Sequence, residues 1–151
     1  MNDEDWAALG DRVLALVAGE TDVIAKMATV ACEVHISDPR CDWTGFYRVV
    51  APDLLKIGPY QGGHGCLVIP FDRGVCGACA RTEEVQLVPD VDAFPGHIAC
   101  ASSTRSELVL PVRNQAGDLI AVFDIDSDFP DAFTQNDADR LTAILAETFE
   151  R

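Results

Sequence analysis

Positive charge is scarce in this chain. Of 151 residues only 11 are Lys or Arg, against 25 Asp or Glu, giving a formal charge of −14. Nucleic acid is thereby disfavoured as a partner, because phosphates need cationic contacts. An anionic membrane surface is disfavoured for the same reason. Most of the acidity reads as a solvated surface. No apolar run approaches the roughly 18 residues of a membrane span. The opening Met1-Asn2-Asp3-Glu4-Asp5 is acidic where a secretion signal would be basic. These absences predict a cytoplasmic protein without membrane or nucleic-acid partners. No internal repeat or low-complexity tract is visible, and the length fits one domain over residues 1–151.

Cysteine, by contrast, occurs six times. In a reducing compartment six cysteines read as free, catalytic or metal-bound rather than as a disulfide framework. Cys76-Gly77-Ala78-Cys79 is a CxxC, but no second CxxC accompanies it and no βαβ pattern surrounds it. His64, Cys66, His97 and Cys100 could complete a zinc set, yet they lack regular ligand spacing, so the expectation is no metal and no cofactor. Cys32 falls on an apolar helix face and Cys41 follows a turn; neither is expected to do chemistry.

Periodicity predicts the elements. Trp6, Leu9, Val13, Leu16 and Val17 share one face of a first helix, long enough to serve a homodimer. Thr21 or Asp22 caps a second helix from about Val23 to His35, with Ile24, Met27, Ala28, Ala31 and Cys32 apolar; Ser37-Asp38-Pro39 ends it. Trp43 to Val50 and Leu54 to Tyr60 read as a hairpin, and Leu67-Val68-Ile69 as a short strand. A short helix over Val75 to Arg81 and a strand over Val85 to Val88 follow. Ser106 to Arg113 and Leu119 to Ile125 form a second hairpin, and Thr134 opens a last helix. The segment from Pro89 to Arg105 has no period, and its length favours a functional loop. With few βαβ units the order argues for α+β: an antiparallel sheet with helices segregated to one face.

Chemistry concentrates late in the chain. Cys100 lies on an irregular loop, just ahead of a polar run that ends in Glu107. Asp124 and Asp126 are two apart, so on a strand they share a face, and Glu107 on the neighbouring strand could join them. Three carboxyls on one surface could bind an ammonium group, and one held protonated could donate a hydrogen bond. Trp43, Gly45 and Tyr47 share a strand face and could form an apolar wall beside them. A solvated outer face for the carboxyls, and a core role for the aromatics, are the ordinary alternatives. The combination suggests thiol redox chemistry on a small polar substrate.

Assembled, these residues resemble the free methionine-(R)-sulfoxide reductases, which are stand-alone GAF-domain enzymes. The matching segments are Asp42-Trp43-Thr44-Gly45-Phe46-Tyr47, Cys66 before Ile69-Pro70-Phe71, Arg73-Gly74-Val75-Cys76-Gly77, Asp90 to Cys100, Arg105 to Pro111, and Val122 to Ser127. GAF sensory domains share the sheet but lack cysteines at these three places. The resemblance implies a six-stranded antiparallel sheet flanked by helices, and reduction of the R epimer of free methionine sulfoxide with electrons from thioredoxin. By position, Cys100 resembles the catalytic cysteine, Cys66 the main resolving cysteine and Cys76 an auxiliary one. Glu107, Asp124 and Asp126 match the substrate-pocket carboxyls, with Glu107 and Asp126 expected at the sulfoxide oxygen and Asp124 at the α-ammonium. Trp43 and Tyr47 match the aromatic positions that would hold the methyl group. The chain departs from the family pattern at Ala101, where an aspartate is common, and at Cys79. A GAF sensor that binds a small ligand without turnover is the rival reading.

Overall fold

Side-chain caps and turn residues set where each element starts. The computed structural model describes residues 1–97 and 102–151. Helix α1 (Asp3–Leu16) opens with a capping box: Asn2 accepts from the Asp5 amide at 2.8 Å, and Asp5 accepts from the Asn2 amide at 2.9 Å. Asp22, one of the two predicted caps, starts α2 (Val23–Ser37) by accepting from Ile24 and Ala25. Asp38, held extended by the following Pro39, stops it. Strands β1 (Trp43–Ala51), β2 (Leu54–Gln61) and β3 (Val68–Pro70) precede α3 (Gly74–Thr82). Strand β4 (Gln86–Val88), a 3-10 turn (Val91–Ala93), β5 (Ser106–Arg113), β6 (Leu119–Ser127) and α4 (Gln135–Phe149) complete the described elements. Thr134 and Asp137 form a second capping box at α4.

Among the described residues the strands form one antiparallel six-stranded sheet in the order β3-β2-β1-β6-β5-β4. Strand alternation splits the interior in two. One face carries Phe46, Leu108, Leu110, Val112, Ala121, Phe123 and Ile125 against the buried stripes of α1, α2 and α4. Phe46 anchors it, 4.6 Å from the Phe123 ring and edge-on to Phe149. The opposite face carries Trp43, Tyr47, Val109 and Val122 against Val75, Cys76, Cys79 and Ala80 of α3. The helices are therefore not segregated to one face. Alternating residues of β1, β5 and β6 are apolar on both sides, so each side needs a cover, and α3 supplies the second.

The helix faces also differ in detail from the periodic reading. Leu16 is 58% exposed because Val17, in the C-cap, takes the inward position. In α2 the buried stripe is Met27, Val30, Ala31 and Val34, while Ile24 and Ala28 are exposed and Cys32 is half-buried. No helix among the described residues is long and apolar enough to cross a membrane.

One ionic cluster ties the helical layer together. Arg40 donates to Asp38 at 2.6 Å and to Asp137 at 2.8 Å, and Asp137 also accepts from the Trp6 indole at 3.2 Å and from the Thr134 amide at 2.9 Å. Burial alone would raise the Asp137 carboxyl, but hydrogen bonds from Arg40 and Thr134 outweigh it and hold its pKa below the usual value. Removing one partner leaves a desolvated charge behind. Asp137→Ala should therefore cost about 3–5 kcal/mol in urea unfolding. A lowered folded pKa means this contribution is present above the unfolded pKa and fades as the pH falls through the folded one. The cost of Asp137→Ala should accordingly shrink in acid; an equal cost at neutral and strongly acidic pH would contradict the ion-pair account.

Candidate active site

The sheet register brings the predicted carboxyls and aromatics into rows. Trp43 pairs with Asp126, which pairs with Glu107, so one row crosses β1, β6 and β5. One pleat along, on the same face, Gly45, Asp124 and Val109 form the next row. Tyr47 and Val122 follow. Asp124 and Glu107 are 4% and 6% exposed, so the ordinary expectation of a solvated outer face for these carboxyls is overturned. They face a pocket also lined by Trp43, Tyr47, Ile69, Cys76 and His97.

Glycine makes the aromatic wall feasible. The Trp43 ring stacks on Tyr47 at 5.6 Å and on Tyr60 at 5.3 Å, and its indole N–H donates to the Gly63 carbonyl at 2.8 Å. A Cβ on Gly45 would come within 2.6 Å of the Trp43 ring and 2.4 Å of Tyr60. A Cβ on Gly65 would lie 2.8 Å from the Tyr47 hydroxyl. Both positions must stay bare for the two rings to lie flat against the strand.

Helix α3 closes the pocket from above. Gly74, at φ +66°, occupies a left-handed conformation that suits glycine and donates to the Gly96 carbonyl at 3.0 Å. Its first turn, Gly74-Val75-Cys76, lines the pocket, and no side chain caps that turn. Cys76 and Cys79 are both buried free thiols, so the CxxC is not bridged. Burial, reinforced by Asp124 and Glu107, pushes the Cys76 thiol well up and keeps it protonated. Cys66 is half-buried and disulfide-bonded. Cys100, the predicted nucleophile, lies outside the described residues, as does Ala101.

The electrostatics of the trio follow from dryness. Burial raises Glu107 well above the usual carboxyl range, with Asp124 and Asp126 adding to it. Burial raises Asp126 likewise, helped by Asp124, Asp128 and Asp42. Asp124 is pushed only to about 6, because hydrogen bonds from Glu107 and Cys76 favour its anion and offset part of the burial effect. Among the described residues no Lys or Arg lines the pocket. The arrangement can thus hold a proton on Glu107 or Asp126 at neutral pH and keep Asp124 as an acceptor. One Asp124 oxygen, Oδ1, is buried without a hydrogen-bond partner.

Sequence reasoning brought Glu107, Asp124, Asp126, Trp43, Tyr47 and Cys76 to this site, and the structure gathers all six. His97 and His64 were considered only as zinc ligands, and the pocket wall includes both. The His97 ring Nε2 lies 3.7 Å from Glu107 Oε2, placing it beside the carboxyls. Thr104 was read only as part of the polar run ahead of Glu107; it lines the pocket from the irregular segment before β5, where no periodic signal exists. Ile69 and Val75 were read only as parts of a strand and a helix.

A raised folded pKa makes a carboxyl a liability as the pH rises. Over the range from the unfolded value near 4 up through about 6 for Asp124, with Glu107 and Asp126 also raised, the folded state binds more protons. Thermal stability should therefore increase as the pH is lowered from 8 towards 5. Asp124→Asn should flatten that slope and raise the melting temperature at neutral pH. Melts across this range check it; a wild-type protein that loses stability steadily on acidification from pH 8 to 5 would refute the buried-acid account.

Comparison with known proteins agrees with the architecture. The family model described as GAF domain matches residues 10–149. Protein YtsP of Bacillus subtilis is 41% identical over 150 residues, covering 99% of this chain and 91% of the relative. A free methionine-R-sulfoxide reductase of Escherichia coli is 40% identical over 146 residues, covering 95% of this chain and 86% of the relative. Among solved structures, the free methionine-R-sulfoxide reductase of Neisseria meningitidis in complex with its substrate superposes with a TM-score of 0.91 at 37% identity, covering 99% of this chain and 90% of that one. This chain belongs to the GAF domain family, in the group whose members include the free methionine-R-sulfoxide reductases.

Proposed function

We propose that this protein reduces free methionine-R-sulfoxide to methionine, with thioredoxin as reductant. The observation that carries the reading is the juxtaposition of Glu107, Asp124 and Asp126 on one sheet face with the stacked Trp43–Tyr47 wall. A sulfoxide offers what such a site can grip. Its methyl group fits an aromatic surface, and its oxygen is a strong acceptor for a protonated carboxyl. A free amino acid also brings an ammonium group, and a pocket lined by carboxyls without Lys or Arg favours that charge.

In the proposed reaction Trp43 and Tyr47 hold the methyl group and exclude water. Asp124, the carboxyl with the lowest pKa of the trio, takes the ammonium group. The substrate carboxylate lies against the uncapped first turn of α3, where free N–H groups favour an anion. Glu107 and Asp126 donate to the sulfoxide oxygen. The Cys100 thiolate attacks the sulfur; as the substrate S–O bond breaks, the oxygen, protonated by the carboxyl pair, passes to the Cys100 sulfur, the transient sulfur–sulfur bond breaks, methionine leaves, and Cys100 is left as a sulfenic acid. Cys66 condenses with that sulfenic acid, releasing water and forming a disulfide, and two-electron exchange with a thioredoxin dithiol restores both thiols. Cys76 keeps its proton in this scheme and serves as a hydrogen-bond donor to Asp124 rather than as a nucleophile.

Two experiments test the cysteine roles together. Cys100→Ser should abolish consumption of methionine-R-sulfoxide in a coupled assay with thioredoxin, its reductase and NADPH, because a hydroxyl is a far weaker nucleophile than a thiolate. Cys66→Ser should release about one methionine per chain and then stall. Normal steady-state turnover in either variant would contradict its assigned role. Binding of the sulfoxide without consumption by the wild type would instead favour a sensor.

Substrate form separates the pocket contacts. The S epimer and an N-acetylated, amidated substrate should be poor, since the first exchanges the methyl and oxygen positions and the second removes both charges. Glu107→Gln and Asp126→Asn should lower kcat by about 10²–10⁴-fold if each assists as an acid. Asp124→Asn should mainly raise KM, because a contact to the ammonium group exists equally in ground and transition states. If Asp124→Asn proves worst in kcat while Asp126→Asn changes KM alone, the two aspartates have exchanged roles.

A further inference from the structure

We infer that the pocket is also a binding site for a thiophilic divalent cation, with Zn²⁺ the best fit, held by Cys76, Glu107 and Asp124. One ligand atom from each, Cys76 Sγ and a carboxyl oxygen from Glu107 and Asp124, lies within 4.8 Å of the other two. Around a tetrahedral zinc, with about 2.3 Å to sulfur and about 2.1 Å to oxygen, such atoms sit about 3.5 Å apart. Contraction by about 1 Å is within the reach of side-chain rotation. The residues come from three elements, α3, β5 and β6, so the ligands converge rather than lying along one surface.

A second observation points to a ligand independently of the clustering. Asp124 is 4% exposed, and its Oδ1 has no hydrogen-bond partner. A buried carboxyl oxygen left unmatched is costly, more so when charged, and a cation is the species that satisfies it best. The lining contains no Lys or Arg to do so. His97 lies next to Glu107, its Nε2 3.7 Å from Glu107 Oε2, but the converging ligand atoms are those of Cys76, Glu107 and Asp124. The cavity has about 30 Å³ of free volume, room for an ion and a bound water.

The donor set selects the metal. A thiol sulfur with two carboxyl oxygens suits Zn²⁺ and disfavours Mg²⁺ and Ca²⁺, which take oxygen ligands. A metal here and an ammonium group at Asp124 would exclude each other. Zn²⁺ is therefore a competitive inhibitor of the reductase, a consequence that rests on the proposed function, whereas the binding itself does not.

The test is titration of the oxidised protein, in which Cys66 is already in a disulfide, with zinc alone by calorimetry and with Co²⁺ by absorption. One ion per chain should bind, and Co²⁺ should show a sulfur-to-metal charge-transfer band in the near ultraviolet. Cys76→Ser should remove that band, and Cys76→Ser and Asp124→Asn should each weaken zinc binding at least tenfold. Cys79→Ser should change neither, and circular dichroism checks that each variant is folded. No binding, or binding that both ligand variants leave intact, would overturn the site. If zinc binds as described but does not raise the KM for the sulfoxide, the competition fails while the site stands. If zinc binds and the protein never consumes the sulfoxide, the proposed reaction has failed instead.

Discussion

Burial of Glu107 and Asp124 on adjacent strands, with Asp126 half-buried beside them, is the constraint on which the rest of this structure depends. Like charges in a dry site cannot all ionise, so the fold must supply protons, hydrogen bonds or a visiting cation. It supplies the first two internally: Glu107 bonds to Asp124, and the Cys76 thiol adds a second hydrogen bond there. It leaves the third to a ligand, since no Lys or Arg lines the pocket among the described residues. The chemistry open to the site follows from that choice.

The two faces of the sheet divide the labour between them. On the helical side, Phe46 and Phe123 pack without polar atoms, and the Arg40 cluster joins α1, α2 and α4. On the other side, the same strands carry carboxyls, bare glycines and rings laid flat. A site that stores unfavourable burial is tolerated because the opposite face is conventionally packed. This matches the general trade between stability and activity. Strand parity alone decides which residue joins which side, so a slip of one residue in β6 would exchange Asp124 for Phe123.

Much of this was legible in the sequence. The parity of Asp124 and Asp126, the alternation of Trp43 and Tyr47 with Phe46, and the hairpin joining β5 to β6 each rest on a period of two, which survives folding. The face of α3 was not legible, because Gly74 to Ala80 are buried on every side of a nine-residue helix, so no single stripe marks it, and only the sheet's second apolar side required it. The exposure of Ile24 was also hidden: α2 has apolar residues on more than one stripe, and tertiary packing chose Met27, Val30, Ala31 and Val34. Burial of the carboxyls was likewise beyond local reasoning, since exposure is a property of what lies overhead. Thr104 entered the pocket from an aperiodic segment that gives pattern analysis nothing to read.

The spare cysteines have a consequence of their own. Cys41, Cys76 and Cys79 are buried free thiols whose surroundings push them away from the thiolate form: burial first, with Asp38 acting on Cys41 and Asp124 on the other two. Thiol–disulfide exchange needs a thiolate, so these three are kinetically silent towards oxidants and mixed disulfides. A chain with six cysteines would otherwise face many wrong pairings. Here burial, with carboxyls beside the thiols, acts as insulation against scrambling, and the oxidation chemistry falls to cysteines outside this set, among them the disulfide-bonded Cys66.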